Sequence, residues 1–212
     1  MLLSTIPLAL LPLAFSAPTK KTTPLSCVQF QYEAPFTSFG ANGFIHLYSN
    51  VTVYDSDTET TRFNETRLGL NADGTIEPCG TCQTTELFGF EVCQNADRDG
   101  FEGLANSATI FYGHILYTKG EASVSCLSAS SSTTNGSSLV LAPCEYDYDT
   151  VASSGQYFEM ETNTGGTVTR LVTTGSETCG PNADVTDGEP ITLSTGTFGG
   201  GLPFTYFGFK SD

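Results

Sequence analysis

Short apolar or alternating runs recur along the chain at 27–32, 44–48, 109–112, 139–141 and 191–193. No stretch sustains the helical period of about 3.6 residues, so the pattern predicts strands rather than amphipathic helices. Between the runs stand Asn42-Gly43, Asp73-Gly74, Asp99-Gly100, Asn135-Gly136, Gly165-Gly166 and Asp187-Gly188. Such pairs adopt positive φ at little steric cost, which tight hairpins require. The expected class is all-β, a barrel or a sandwich.

The spacing of the runs repeats. Asn135-Gly-Ser-Ser-Leu139-Val-Leu141 and Asp187-Gly-Glu-Pro-Ile191-Thr-Leu193 both set a turn pair ahead of an apolar-x-Leu strand. Cys126 precedes Leu139 by 13 residues, and Cys179 precedes Ile191 by 12. Downstream, Gln156-Tyr-Phe158-Glu-Met160 corresponds to Thr205-Tyr-Phe207-Gly-Phe209. A looser copy runs from Asp73-Gly74-Thr-Ile76-Glu-Pro-Cys79 to Leu87-Phe88-Gly-Phe90. Gly43 to Gly113 and Phe88 to Phe158 both differ by 70, which puts the first two copies in register. Three copies that each end in an aromatic-x-apolar strand imply a threefold β-architecture, with repeats at about 38–93, 108–163 and 166–212.

The segment Cys126-Leu-Ser-Ala…Asn135-Gly136…Leu139-Val-Leu-Ala-Pro-Cys144…Gln156-Tyr-Phe158 resembles a repeat of the ricin-B-type lectins. The resemblance implies a β-trefoil, with a β-sandwich as the alternative, and a disulfide between Cys126 and Cys144. It covers this segment well, 167–209 fairly and 43–90 weakly. Phe158 stands where that family has a tryptophan, and Ser128 where it has its sugar-binding aspartate. A hydroxyl makes fewer strong hydrogen bonds to vicinal sugar hydroxyls than a carboxylate does. The implied carbohydrate contacts are Ser128, Asn135, Tyr146, Asp147 and Gln156, with Asp184 and Asp187 of the third copy as a second group. In Glu145-Tyr-Asp147-Tyr-Asp149, aromatic faces suited to stacking on sugar rings alternate with carboxylates suited to their hydroxyls.

Residues 1–16 form a single apolar run ending in small residues, which reads as a secretory signal peptide. Residues 17–26 then form an N-terminal arm in which Lys20-Lys21 is a possible processing point, and 27–212 form one domain. No apolar tail follows Phe209, so no lipid anchor is expected. Asn50, Asn64 and Asn135 head glycosylation sequons. The net charge of −15 argues against nucleic acid or an anionic membrane as partner. Glycans or a secreted protein are the expected partners.

Seven cysteines in a secreted chain predict disulfides and one odd thiol. Cys27 and Cys93 are placed to tie the N-terminus into the barrel. Cys79 and Cys82 are placed to staple a local loop, and Cys179, which aligns with Cys126 but has Gly196 near the position matching Cys144, is expected to be the odd residue. His46 and His114 are expected on the surface of strands or at repeat-equivalent turns, and their spacing makes no zinc motif. The acidic stretches 55–59, 95–102 and 145–149 read as solvated turns rather than calcium loops. Carboxylates are abundant, and no pair is singled out for glycoside hydrolysis. No cofactor is expected. The sequence thus points to a secreted, non-catalytic carbohydrate-binding protein. The alternative is a trefoil protease inhibitor or other protein-binding factor that uses the insertion at 55–64.

Overall fold

A computed structural model describes residues 23–29, 42–55, 58–79, 87–93, 110–119, 123–131, 136–150, 153–163, 166–172, 178–181, 188–195 and 205–210. Among these the chain is all-β. The strands are β1 (Cys27–Gln29), β2 (Asn42–Asp55), β3 (Thr58–Leu70), β4 (Ile76–Pro78), β5 (Phe88–Cys93), β6 (Ile110–Lys119) and β7 (Ser123–Ala129). They continue with β8 (Leu139–Ala142), β9 (Phe158–Asn163), β10 (Gly166–Val172), β11 (Thr178–Pro181), β12 (Leu193–Thr195) and β13 (Thr205–Lys210).

Every pairing is antiparallel. β5 pairs β2 and β6, β6 pairs β9, β9 pairs β10, β10 pairs β13, and β13 pairs β2. The sheet therefore curls nearly into a barrel. Its thinnest seams are β2–β5, at Asn42↔Gly89 and Gly43↔Phe88, and β10–β13, at Thr169↔Phe207. The pairs β3–β4, β7–β8 and β11–β12 attach to this circuit and meet one another. Leu141 N donates to Gly74 O, Leu193 N to Ser137 O and Ile191 N to Ile76 O. β1 adds to the outer edge of β5.

Strand alternation builds the core. Ile45 and Leu47, Phe88, Phe90 and Val92, Phe111 and Ile115, Phe158 and Met160, and Phe207 and Phe209 belong to one buried cluster. Each such side chain removed from water stabilises by roughly 1.5–3 kcal/mol. The tryptophan-free sequence fills the interior with phenylalanine instead.

The glycines divide into two uses. Gly74, Gly136 and Gly188 sit at φ of 75°, 87° and 80°, as the Asp-Gly and Asn-Gly pairs predicted. In the first of these turns Asn71 Oδ1 also accepts from Asp73 N and Thr75 N. Asn42-Gly43 and Gly166 instead lie within β2 and β10, where ladder pairing to Gly89, Phe88 and Asn163 carries the strand through. Asp99-Gly100 lies outside the described residues.

Two disulfides link Cys27 to Cys93 and Cys126 to Cys144. Closing loops with separations of 66 and 18 residues is worth about 4 and 3 kcal/mol in the chain-entropy account. These bonds are compatible with an extracellular protein. Cys79 is also disulfide-bonded, whereas Cys82 lies outside the described residues. Cys179 lies in β11 opposite Thr195. Among the sequons, Asn50 lies in β2, Asn64 is exposed on β3, and Asn135 is outside the described residues.

The histidines correct an expectation. His46 is 7% exposed and His114 0%, and both lie inside strands, not at turns or on a wetted surface. Both point away from the core. At His114 the N-terminal arm and the Tyr146 loop cover the outer face of the barrel, and strand periodicity does not reveal that cover.

Candidate functional site

The most developed cluster lies on the outer face of β1, β5 and β6. Register sets it: Cys27 is opposite Cys93, and Glu91 is opposite both Gln29 and His114. Gly113 lets the strands approach this closely. A Cβ there would sit 1.7 Å from the Glu91 carbonyl oxygen, so no other residue fits without moving β5.

His114 Nδ1 lies 2.7 Å from Glu91 Oε1 and 3.7 Å from Cys93 Sγ. Its Nε2 is buried and makes no hydrogen bond among the described residues. The same Glu91 carboxylate accepts from the Tyr146 hydroxyl. Burial and the neighbouring Glu91 charge push the Tyr146 phenol up to about 12. The Tyr146 ring meets His114 edge-on at 5.3 Å, and the Tyr157 ring does so at 6.3 Å. Tyr112 stacks on Tyr157 at 6.0 Å and donates to Glu159 Oε2 at 3.0 Å. Leu25, Cys93 and Tyr157 form a small apolar cluster with Cys27, Tyr112 and Tyr148 against it.

Tyr146 belongs to a loop held at both ends. Cys144 is bonded to Cys126. Gln156, 2% exposed, donates through Nε2 to Pro143 O at 2.9 Å and accepts from Glu145 N at 3.0 Å. The N-terminal arm zips along the other side, with Leu25 N donating to Tyr146 O and Tyr148 N to Thr23 O. Asp147 Oδ1 accepts from Asp149 N at 3.2 Å and so closes the turn. Tyr146 itself is 43% exposed, the one aromatic among the exposed large apolar side chains of the described residues.

The predicted contacts thus separate. Tyr146, Asp147 and Gln156 share this loop, with Gln156 as its buried clamp. Ser128 is buried in β7, where its hydroxyl donates to the Ala129 carbonyl at 3.3 Å. Asn135, Asp184, Asp187 and the acidic stretch 95–102 lie outside the described residues. Of the acidic stretch 55–59, Asp55 pairs Thr58 and Glu59 pairs Tyr54 at the end of the β2–β3 ladder, and 56–57 lie outside the described residues. Glu91 is absent from the residues expected above, although an acid between Phe90 and Val92, on the same strand face as Cys93, is a readable signal. The histidine spacing makes no zinc motif, yet Cys27, Cys93, Glu91 and His114 each offer a ligand atom within 4.8 Å of the others.

A second outward cluster gathers on β3, β2 and β13. His46 Nδ1 lies 2.8 Å from Glu65 Oε1, and Lys210 Nζ lies 2.7 Å from the same oxygen. Tyr48 and Tyr206, opposite one another, stack at 5.1 Å, and the Arg67 guanidinium sits 3.5 Å over the Phe44 ring. Burial, with Glu65 and Tyr206 alongside, pushes the Tyr48 phenol up to about 12, and burial raises Tyr206.

No family model matches the chain, and no curated protein and no solved structure shows detectable similarity to it.

Proposed function

We propose that the chain is a secreted, non-catalytic β-trefoil of ricin-B-like type that binds carbohydrate on the Tyr146 loop. The trefoil reading is supported by four-strand units β2–β5, β6–β9 and β10–β13, which coincide with the three sequence repeats. Each unit gives two strands to the barrel circuit and a hairpin outside it. The hairpins carry the positive-φ glycines Gly74, Gly136 and Gly188 and hydrogen-bond to one another.

The observation that carries the binding reading is the Tyr146 ring, exposed yet pinned by its hydroxyl to Glu91 and by its backbone to Leu25. A fixed aromatic surface loses little conformational entropy when a ligand stacks on it. Glu145 and Asp149, both exposed beside it, supply acceptors for sugar hydroxyls. The Glu91–His114 pair is sealed beneath this surface, which supports a binding role rather than acid–base catalysis.

A glycan array followed by calorimetry tests the proposal. Native protein binds a saccharide, Tyr146→Ala reduces affinity at least tenfold, and Tyr146→Phe retains most of it. A silent native protein would sink the carbohydrate reading.

The β2–β3 ribbon favours a second reading. Beyond Ser49, β2 pairs only β3 among the described strands, out to Asp55↔Thr58. A two-stranded arm of this kind suits a protein partner such as a protease. Stoichiometric inhibition in a protease panel, lost on trimming 50–63, distinguishes it.

A further inference from the structure

We propose that Cys27, Cys93, His114 and Glu91 form a Zn²⁺ site in the dithiol form of the protein, exclusive of the Cys27–Cys93 disulfide. Two thiolates, an imidazole and a carboxylate are a donor set that zinc takes in tetrahedral sites. Their ligand atoms already lie within 4.8 Å of one another, and Nδ1 is the imidazole nitrogen that faces both the sulfur and the carboxylate. Tetrahedral Zn–S bonds place two sulfurs about 3.8 Å apart, so the two thiolates must separate once the disulfide is reduced.

The backbone does not depend on the S–S bond to hold this arrangement. Cys27↔Cys93, Val28↔Val92 and Gln29↔Glu91 ladder β1 to β5, and Glu91↔His114 ladders β5 to β6. The arm ahead of β1 is tied separately, through Leu25 N to Tyr146 O and Tyr148 N to Thr23 O. A buried carboxylate–imidazole pair gives weak net stabilisation at best, because desolvation offsets the attraction. A metal ligated by both groups gives the pair a role in the reduced protein that packing alone does not.

The chemistry balances with a phosphine as reductant. The disulfide takes two electrons and becomes two thiols, the phosphine leaves as its oxide with oxygen from water, and the thiols lose their protons as the metal binds. The proposal is independent of the carbohydrate reading.

The test titrates Co²⁺, as a spectroscopic stand-in for Zn²⁺, into full-length protein reduced with phosphine under argon. The expected result is one equivalent bound, with a thiolate-to-cobalt charge-transfer band and tetrahedral d–d bands, both displaced by Zn²⁺. Protein with its disulfides intact shows neither band. A Cys79→Ser/Cys82→Ser variant keeps the signal, Cys93→Ser and His114→Gln lose it, and Glu91→Gln weakens binding at least tenfold. Circular dichroism follows the fold throughout. The proposal is overturned if the reduced chain takes up no cobalt or loses its β-signature. It is equally overturned if the bands survive in Cys93→Ser or His114→Gln, or vanish in Cys79→Ser/Cys82→Ser.

Discussion

The barrel carries two imidazole–carboxylate pairs on its outer face, alike in their closest contact and in a buried imidazole, and different in how far the carboxylate meets solvent. His46 and Glu65 approach to 2.8 Å, and His114 and Glu91 to 2.7 Å. The Glu65 side chain is 34% exposed and shares its oxygen with Lys210, half of whose side chain is in solvent. The Glu91 side chain is 11% exposed, the His114 side chain 0%, and the neighbours are a disulfide and a tyrosine hydroxyl. In the first pair His46 is almost as buried as His114, but Glu65 and Lys210 reach solvent and can exchange their contacts for water. The second pair cannot, so removing one partner leaves the other buried and unpaired, whatever the pair's own net worth. A short contact distance therefore says little about energy until the exposure of both partners is added.

The sharpest way to break the contrast is at Gly113. A methyl there overlaps the Glu91 carbonyl, so Gly113→Ala must displace β5 from β6 beneath the buried pair. The expected loss is about 4 kcal/mol or more, read as a lowered urea midpoint or as no soluble protein. Next in size is the paired comparison of Glu91→Ala with Glu65→Ala. The first should cost about 3 kcal/mol, because it strands His114 and frees Tyr146. The second should cost less, about 1–2 kcal/mol, because Glu65 and Lys210 already meet water although His46 is buried. Equal urea shifts for the two variants would mean that the cover over His114 opens readily in solution.

Much of the framework under both pairs was legible in the chain. Asn/Asp-Gly pairs, ahead of apolar-x-Leu runs in two of the three copies, located the hairpin turns at Gly74, Gly136 and Gly188, because positive φ is a local requirement that local residues advertise. Cys27–Cys93 and Cys126–Cys144 were placed by the resemblance and by their positions on strands. The exposure of the outward face was not legible. Period-two alternation sorts residues into inward and outward, and outward was equated with wet. Whether a distant segment covers that face is a non-local fact: Leu25 and Tyr146, far apart in sequence, are joined by a backbone hydrogen bond across the His114 cluster. Gln156 shows the same limit, since its resemblance to a ligand contact contains no hint that Pro143 and Glu145 occupy its amide.

Alkaline titration sharpens the comparison further, because each pair has a tyrosine beside its carboxylate. Tyr48 and Tyr146 are both pushed up to about 12 from an ordinary value of 10.0, in each case by burial first and the adjacent glutamate second. A phenol that holds its proton more tightly when folded stabilises the fold fully below the unfolded value. That contribution is lost as pH rises through the folded one. Stability should therefore fall between about pH 10 and 12. Glu91→Gln should bring the Tyr146 absorbance transition down without moving Tyr48, and Glu65→Gln should do the reverse. Coincident movement of both would mean that general loosening, not the two carboxylates, controls them.

The smallest effect belongs to Lys210. Its ammonium is 2.7 Å from Glu65, but the two side chains are 50% and 34% exposed, so water and salt compete for both charges. Lys210→Met keeps most of the stem and removes the charge, and should change stability by less than about 1 kcal/mol. Native and variant protein should become indistinguishable in about 1 M salt, where the screening length is about 3 Å. The companion measurement is the same salt series on Glu91→Gln, whose deficit should persist because no mobile ions reach the buried pair. A Lys210→Met deficit that survives high salt would place the Glu65 network in the buried class and erase the distinction between the two faces.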